Sequence, residues 1–362
     1  MYRTALVLIA RNEAHCIERC LNSLRPWVDQ MIVLDTGSED DTPARAAAAG
    51  AEVHHFQWVD DFSAARNAAL AHSQADWNIV VDADEWLDSG GEALAGLRQQ
   101  HPDFVGALFV NSSCDNTSTS GESAHAGSWI SRVLPRGIQY EGLIHEQPRH
   151  ALPVVRLPVT LGHDGYERAA MDHKGNRNAL ILQRALQSEP DNAYLLYQAG
   201  KDHEVHDRFE AAHAAYVQAW ARCDPGAPWR HDLLIRHLFV MKQVGALADA
   251  LALAEQEMPH WMHSADFFFT LGDLLLSQAV AAPSEASVIL PVIESSWQRC
   301  LELGDTLDLE GSVAGRGSHL AAHNLMVFHE SLGQAEPAAY YRDLAERLKS
   351  TNVASSRSGG RR

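Results

Sequence analysis

The chain has 362 residues, enough for two domains and a sizeable core. Acidic residues outnumber basic ones 47 to 29, a formal charge of -18, which disfavours nucleic acid because phosphate neutralisation needs a basic face. Cys16, Cys20, Cys114, Cys223 and Cys300 form no CxxC pair, which suits reduced thiols in a cytoplasmic protein, and no run reaches the roughly 20 apolar residues of a membrane helix.

Taken in order, the first third alternates. The opening MYRTALVLIARNEA reads as a first strand, Ala5 to Ala10, rather than a signal peptide. Ala14 to Leu24 reads as a helix and Met31 to Asp35 as a second strand. Thr42-Pro43 supplies an N-cap followed by Pro at N1, opening an Ala-rich helix that ends at Gly50. Ala51 to Phe56 is a third strand and Asp61 to His72 a helix. A fourth strand, Trp77 to Val81, ends abruptly in Asp82-Ala83-Asp84. Strands spaced by helix-sized segments imply βαβ units and a mostly parallel sheet, with ligands beyond the C-terminal strand ends. Those ends carry Arg11-Asn12-Glu13, Asp35-Thr36-Gly37-Ser38 and Asp82-Ala83-Asp84.

In an extended chain residues two apart share a face, so Asp82 and Asp84 are expected to point together and Glu85 elsewhere. Two such carboxylates repel unless a cation or donors stand between them, and hard cations are held by one or two carboxylates plus substrate phosphates. The competing reading is an acidic strand end followed by a helix cap at Asp88-Ser89-Gly90.

Phe104 to Val110, Ser128 to Leu134 and Leu152 to Leu161 read as strands without intervening helices, an antiparallel extension of the sheet. The polar stretch Asn111 to Gly127 reads as a long loop, either a mobile segment or a lid over substrate. From about Ala169 the pattern becomes helix pairs. Pro190, Leu196, Ala199, Gly200, Ala212, Tyr216 and Ala219 match the 34-residue tetratricopeptide template, as do Leu325, Gly333, Ala338 and Ala345. Leu271-Gly272 begins another pair, with an irregular insertion near Ala281 to Ser287. Ser350 to Arg362 reads as a disordered tail. Signatures of other chemistries fail: His203 and His206 stand three apart, not as HExxH, and Gly315-Arg316-Gly317 lacks a preceding strand. No phosphate loop or GxSxG elbow is present.

The series ARNEA (10–14), LDTGSEDDT (34–42), FQWVDDFSAARN (56–67) and WNIVVDADE (77–85) resembles the family 2 inverting glycosyltransferases. It is most similar to the bacterial subgroup in which tetratricopeptide repeats follow the catalytic domain. Ile144-His145-Glu146-Gln147 and Gly162-His163-Asp164-Gly165-Tyr166 extend the likeness. The resemblance implies an α/β GT-A nucleotide-diphospho-sugar transferase domain at 1–165 and an all-α tetratricopeptide-like helical repeat domain at 170–349, with the tail at 350–362. It implies a sugar moved from a nucleotide diphosphate donor, most often UDP-linked, with Mn2+ or Mg2+. The acceptor would be a protein, peptide or glycan met through the repeats, which could also mediate self-association. A non-catalytic nucleotide-sugar-binding scaffold is the alternative.

Residue by residue, the resemblance places Ala10, Asn12, Glu13 and Asp35 in the nucleotide pocket. Asp35 is otherwise a turn former before Gly37, and Asn12 and Glu13 are otherwise helix caps. Asp82 and Asp84 match the DxD pair, the first serving ribose or metal, the second metal, with Glu85 in support. Arg66 pairs with phosphate or base, or forms a buried ion pair with Asp60 or Asp61; Asn67 shares that ambiguity. His163 would complete the metal shell, an imidazole suiting Mn2+ better than Mg2+. Glu146, or else His145, would be the general base, unless Glu146 is tied to Arg132 or Arg149. Arg132 and Trp129 would line the acceptor or phosphate side.

Overall fold

The computed structural model describes residues 1–114, 124–163 and 168–358. The chain divides into two compact units, Met1–Pro190 and Asp191–Arg362.

In the first unit β1 (Thr4–Ala10), β2 (Gln30–Asp35), β3 (Glu52–His55) and β4 (Trp77–Val80) run parallel, as their spacing predicts. Between them lie α1 (Ile17–Leu24), α2 (Thr42–Ala48) and α3 (Phe62–Ala71). The alternation in β1 explains the two-sided core. Leu6 and Leu8 join Leu21, Leu24 and Ile79 on one face, while Ala5 and Val7 meet Ile32, Leu34 and Ala69 on the other. Helix α1 starts three residues later than the sequence suggests. The Glu13 carbonyl takes the Cys16 and Ile17 N–H groups at 3.1 and 2.9 Å, so 14–16 form a turn.

The sheet continues through β5 (Glu85–Ser89), β6 (Val105–Cys114), β7 (Ala124–Pro135) and β10 (Val154–His163). Its order is β3-β2-β1-β4-β7-β6-β10-β5. Three expectations are corrected. First, β10 runs parallel to β6; only β7, and β5 against β10, are antiparallel. Second, Glu85 to Ser89 is an edge strand, and α4 (Gly91–Gly96) follows it capped by Gly90 with no side-chain cap from Asp88 or Ser89. Third, the stretch read as a loop from 111 to 127 is strand at both its ends. Whether 115–123 form a lid lies outside the described residues. A separate hairpin, β8 (Gln139–Glu141) and β9 (Gln147–Arg149), stands off the main sheet. Helix α5 (Arg168–Ser188), read with the repeats, belongs to the first compact unit, where Arg184 pairs with Asp60 at 3.0 Å.

The second unit is built from helix pairs: α6 (Ala193–Val205) with α7 (Phe209–Arg222), α8 (Arg230–Gln243) with α9 (Leu247–Glu257), α10 (Ala265–Ala281) with α11 (Ala286–Leu303), and α12 (His319–Ser331) with α13 (Ala335–Ser358). Two repeat glycines show why the template needs small residues. A Cβ on Gly200 would stand 2.2 Å from the Tyr216 ring, and one on Gly272 would stand 2.4 Å from Trp297. The expected insertion at 281–287 is instead a short 3-10 turn, Pro283–Glu285. The irregular segment lies between α11 and α12, ordered by two aspartates. Asp305 accepts from the Gly315 and Gly317 N–H groups, and Asp266, 1% exposed, accepts from Val313 N–H and Arg316. Helix α13 continues to Ser358, into the stretch read as a disordered tail; 359–362 lie outside the described residues.

His237 of α8 is 4% exposed, and neither ring nitrogen has a hydrogen-bond partner among the described residues. Burial, reinforced by the neighbouring His213, lowers its pKa to about 4. Between pH 4 and 6.5 the unfolded chain therefore binds a proton that the folded chain refuses, and stability falls as pH falls. In urea titrations wild type should lose about 2 kcal/mol more than His237→Leu between pH 7 and pH 5. Identical pH dependence in the two proteins would show that the ring titrates normally.

Candidate active site

Strand β4 stops at Val80, and the acids after it form a turn rather than an extended run. The Glu85 N–H donates to the Asp82 carbonyl at 3.0 Å, and the Asp82 N–H donates back to Glu85 Oε2 at 2.8 Å. That reciprocal closure brings Asp82 and Glu85 together, where the sequence placed Glu85 elsewhere. Arg132 of β7 is brought level with the turn because Ile79 pairs with Val133. Its Nη2 donates to Asp82 Oδ2 and to Glu85 Oε1, both at 2.6 Å. From α3, Arg66 Nη2 donates to Asp82 Oδ1 at 2.7 Å, and its Nε donates to Glu146 Oε1.

The electrostatics follow from this packing. Burial alone would raise Asp82, but Arg132 and then Arg66 outweigh it and hold the carboxyl far below its ordinary range. Glu85, 2% exposed, is pushed up to about 7: burial raises it, Arg132 opposes, and the charge of Asp82 adds to the rise. Tyr140, beneath Arg66 with 5.5 Å from guanidinium to ring, is raised to about 12 by burial against both arginines. Arg66 Nη1, Arg132 Nε and the Tyr140 hydroxyl are buried without hydrogen-bond partners among the described residues.

Asp84 stands apart with a different neighbour. Its Oδ2 lies 3.6 Å from His163 Nε2, the side chains 28% and 23% exposed. The β10–β5 register sets His163 opposite Glu85, which carries the imidazole to the acid turn. The carboxylate first raises the His163 pKa, and burial opposes it. A partly exposed carboxylate and imidazole at this separation fit a divalent cation of the Mn2+ type. A second trio, Glu13, His15 and Cys16, brings ligand atoms within 4.8 Å of one another. There burial and the Glu13 charge push the thiol up, opposing the thiolate that a soft metal needs.

At the neighbouring strand ends, Asp35 is 4% exposed and accepts the Gly37 and Ser38 N–H groups at 3.2 Å, with His55 Nδ1 at 3.5 Å. Its turn-forming role is therefore real. The Ala10 carbonyl accepts the Thr36 N–H at 2.9 Å. Asn12, at φ +56, does not cap α1. Its carbonyl oxygen takes the Glu39 N–H at 2.8 Å and its own N–H reaches the Ser38 hydroxyl, joining the loops after β1 and β2. Glu13 is buried, its N–H on the Thr42 hydroxyl at 2.7 Å.

Several expectations are thus corrected. Each oxygen of Asp82 accepts from a guanidinium group, Oδ1 from Arg66 and Oδ2 from Arg132, and the side chain keeps 39% exposure. Arg66 pairs with neither Asp60 nor Asp61; Asp61 caps α3 through the Ala64 N–H at 2.9 Å. Glu146 is tied to Arg66, while Arg149 pairs with Glu141 at 2.7 Å. Arg132 is 6% exposed and pairs with Asp82 and Glu85. Trp129 packs on Phe109 with centroids 5.4 Å apart. His145 is exposed at φ +52. The sequence offered no signal for His55 or Tyr140.

Arg132→Met should lower the unfolding free energy of this unit by about 3–5 kcal/mol, because it leaves Asp82 and Glu85 short of their shared cation. Asp84→Asn, in a partly exposed pair, should cost about 0–1 kcal/mol. Equal losses in urea unfolding would mean that Arg132 does not carry the acid turn.

The family model for glycosyl transferase family 2 matches residues 5–151. A TPR repeat-containing protein of Synechococcus elongatus is 32% identical over 311 residues, covering 78% of this chain and 76% of that protein. The SPbeta prophage-derived glycosyltransferase SunS of Bacillus subtilis is 28% identical over 217 residues, 57% of this chain and 50% of SunS, so the chain spans half the length of that relative. Among solved structures, glucosyl-3-phosphoglycerate synthase from Mycobacterium tuberculosis, crystallised with Mn2+, UDP-glucose and phosphoglyceric acid, is 27% identical with a TM-score of 0.27. The match covers 30% of this chain and 44% of that one. The chain belongs to glycosyl transferase family 2, as a nucleotide-sugar glycosyltransferase whose GT-A-type α/β domain is followed by tetratricopeptide-type helical repeats.

Proposed function

We propose that the protein is a metal-dependent, inverting glycosyltransferase that moves a sugar from a UDP-linked donor to a protein, peptide or glycan acceptor. The observation that carries this reading is the Asp84–His163 pair at 3.6 Å, beside the turn that closes β4. Asp84 and His163, with Asp82 beside them, would hold Mn2+ or Mg2+, and the cation when bound would neutralise charge on the departing diphosphate. Ala10, Asn12, Glu13 and Asp35 form the nucleotide side of the site. Asp82, whose side chain keeps 39% exposure, accepts a hydroxyl of the ribose or the sugar while Arg66 and Arg132 fix its direction.

Glu146 is the general base. Arg66 donates to one of its oxygens, and the other is left to take the acceptor's proton. The acceptor atom attacks the anomeric carbon from the face opposite the diphosphate, and the bond to the diphosphate breaks. His145, exposed on the same turn, is the second candidate. The catalytic domain lies within Met1–Pro190 and the repeats within Asp191–Arg362, the latter presenting the acceptor or mediating self-association. Among the described residues no single helix is long and apolar enough to cross a membrane, in keeping with a cytoplasmic acceptor.

With Mn2+ and UDP-sugars, wild type should release UDP, and Asp84→Ala should abolish release while changing stability by no more than about 1 kcal/mol. Mn2+ should raise the melting temperature of wild type but not of Asp84→Ala. Equal shifts in both proteins would remove the metal from this pair. Glu146→Gln should lower kcat about 10²–10⁴-fold. A large loss in His145→Ala with little in Glu146→Gln would move the base by one residue.

A further inference from the structure

We propose that Asn67 is a positioning residue for the transfer reaction, acting through the β8–β9 hairpin that carries Glu146. The inference rests on the reading of Glu146 as base, and it begins from a hydrogen-bonding pattern.

Hairpin β8–β9 is a two-stranded ribbon, and such ribbons are marginal by themselves. The free edge of β8 is completed by a side chain. Asn67 Nδ2 donates to the Tyr140 carbonyl at 2.9 Å, and the Tyr140 N–H donates to Asn67 Oδ1 at 2.8 Å. One carboxamide thus reproduces the paired peptide contacts that a neighbouring strand would supply. Among side chains only Asn and Gln place a donor and an acceptor in one plane for this purpose.

The same helix holds the hairpin at two more points. Its first residue, Phe62, donates its N–H to the Leu143 carbonyl at 2.9 Å. Arg66, next to Asn67, reaches Glu146 and lies over the Tyr140 ring. Between these anchors the chain bends at Gly142, φ +102, and at His145, φ +52, a left-handed conformation that a non-glycine residue adopts only when its surroundings hold it there. That bend turns Glu146 inward, its side chain 9% exposed.

The consequence is geometric. Arg66 joins Glu146 to Asp82, so the height of the hairpin on α3 sets the distance between the base and the acid turn. Asn67 fixes that height without touching Ala10, Asn12, Asp35, Asp84 or His163. Loosening it displaces the base, not the donor site, and a misplacement of about 1 Å costs roughly 10²-fold in rate.

The test compares Asn67→Ala, Asn67→Gln and Leu70→Ala, the last packing on the same hairpin's apolar side without the amide bracket. Steady-state kinetics are read alongside hydrogen exchange of residues 139–147 in the substrate-free protein. Asn67→Ala should lower kcat about 10–100-fold with the donor KM within about twofold, and should speed exchange across 139–147. Asn67→Gln should recover part of kcat, and Leu70→Ala should lower stability while leaving kcat near wild type. The proposal is overturned if kcat follows stability equally in Asn67→Ala and Leu70→Ala, or if exchange rises with no loss of kcat. Glu146→Gln, measured in parallel, reports on the base alone. Should it keep wild-type rate while Asn67→Ala does not, the base assignment falls and positioning through Arg66 and Asp82 stands.

Discussion

The site depends on one carboxylate shared by two guanidinium groups. Asp82 receives Arg66 on one oxygen and Arg132 on the other, in a pocket where both arginines are more than nine-tenths buried. Buried charges survive only when balanced and hydrogen-bonded. Arg66 and Arg132 bring two positive charges; Asp82 and Glu146 bring two negative ones. Glu85 would be a third, and burial together with the charge of Asp82 pushes its pKa up, which favours its protonated form and relieves the excess. The cluster therefore stays close to neutral, although four of its five members are almost closed to solvent.

That arrangement divides labour between two acids that look equivalent in the sequence. An extended DxD would point both carboxylates at one cation. Here the chain makes a turn closed between Asp82 and Glu85, and the two acids have different neighbours. Asp82 is drawn into the arginine framework, and Asp84 is left to face His163. The attraction that permits two acids to stand so near each other is thus supplied mainly by the chain's own arginines.

Much of the fold was legible because its periodicities are strong. The strands from Ala5 to Val81 alternate cleanly with helix-length segments, and their parallel order follows. Gly200 and Gly272 marked the repeats because each faces an aromatic ring that leaves no room for a Cβ. What escaped was set by tertiary pairing. EWLDS has no apolar alternation, and it is a strand only because β10 lies beside it. The parallel pairing of β10 with β6 has no local signature either. The partners of Arg66 were misjudged for the same reason. Asp60 and Asp61 are near in sequence, but α3 turns its fifth position inward, towards residues 16 and 80 positions away. Tyr140 and Asn67 carry no motif at all; their importance is a matter of which edge of β8 lacks a strand.

The long-range contacts also explain why the edge strand matters to chemistry. Arg66 comes from α3, Arg132 from β7, Glu146 from the β8–β9 turn and His163 from the end of β10. Of these, His163 reaches the acid turn only because β5 leaves that turn and pairs back along β10, setting residue 163 against residue 85. A helix at 85–89 would remove that register and with it the imidazole beside Asp84. In the second unit the acids Asp232 and Glu204 have their own partners. Asp232 accepts from Arg236 and the Tyr197 hydroxyl, and Glu204 from Arg236 and the Tyr216 hydroxyl. These charges of the repeat unit are thus satisfied among themselves, by tyrosine hydroxyls and by the same pairing of acids with arginines that orders the acid turn of the sheet domain.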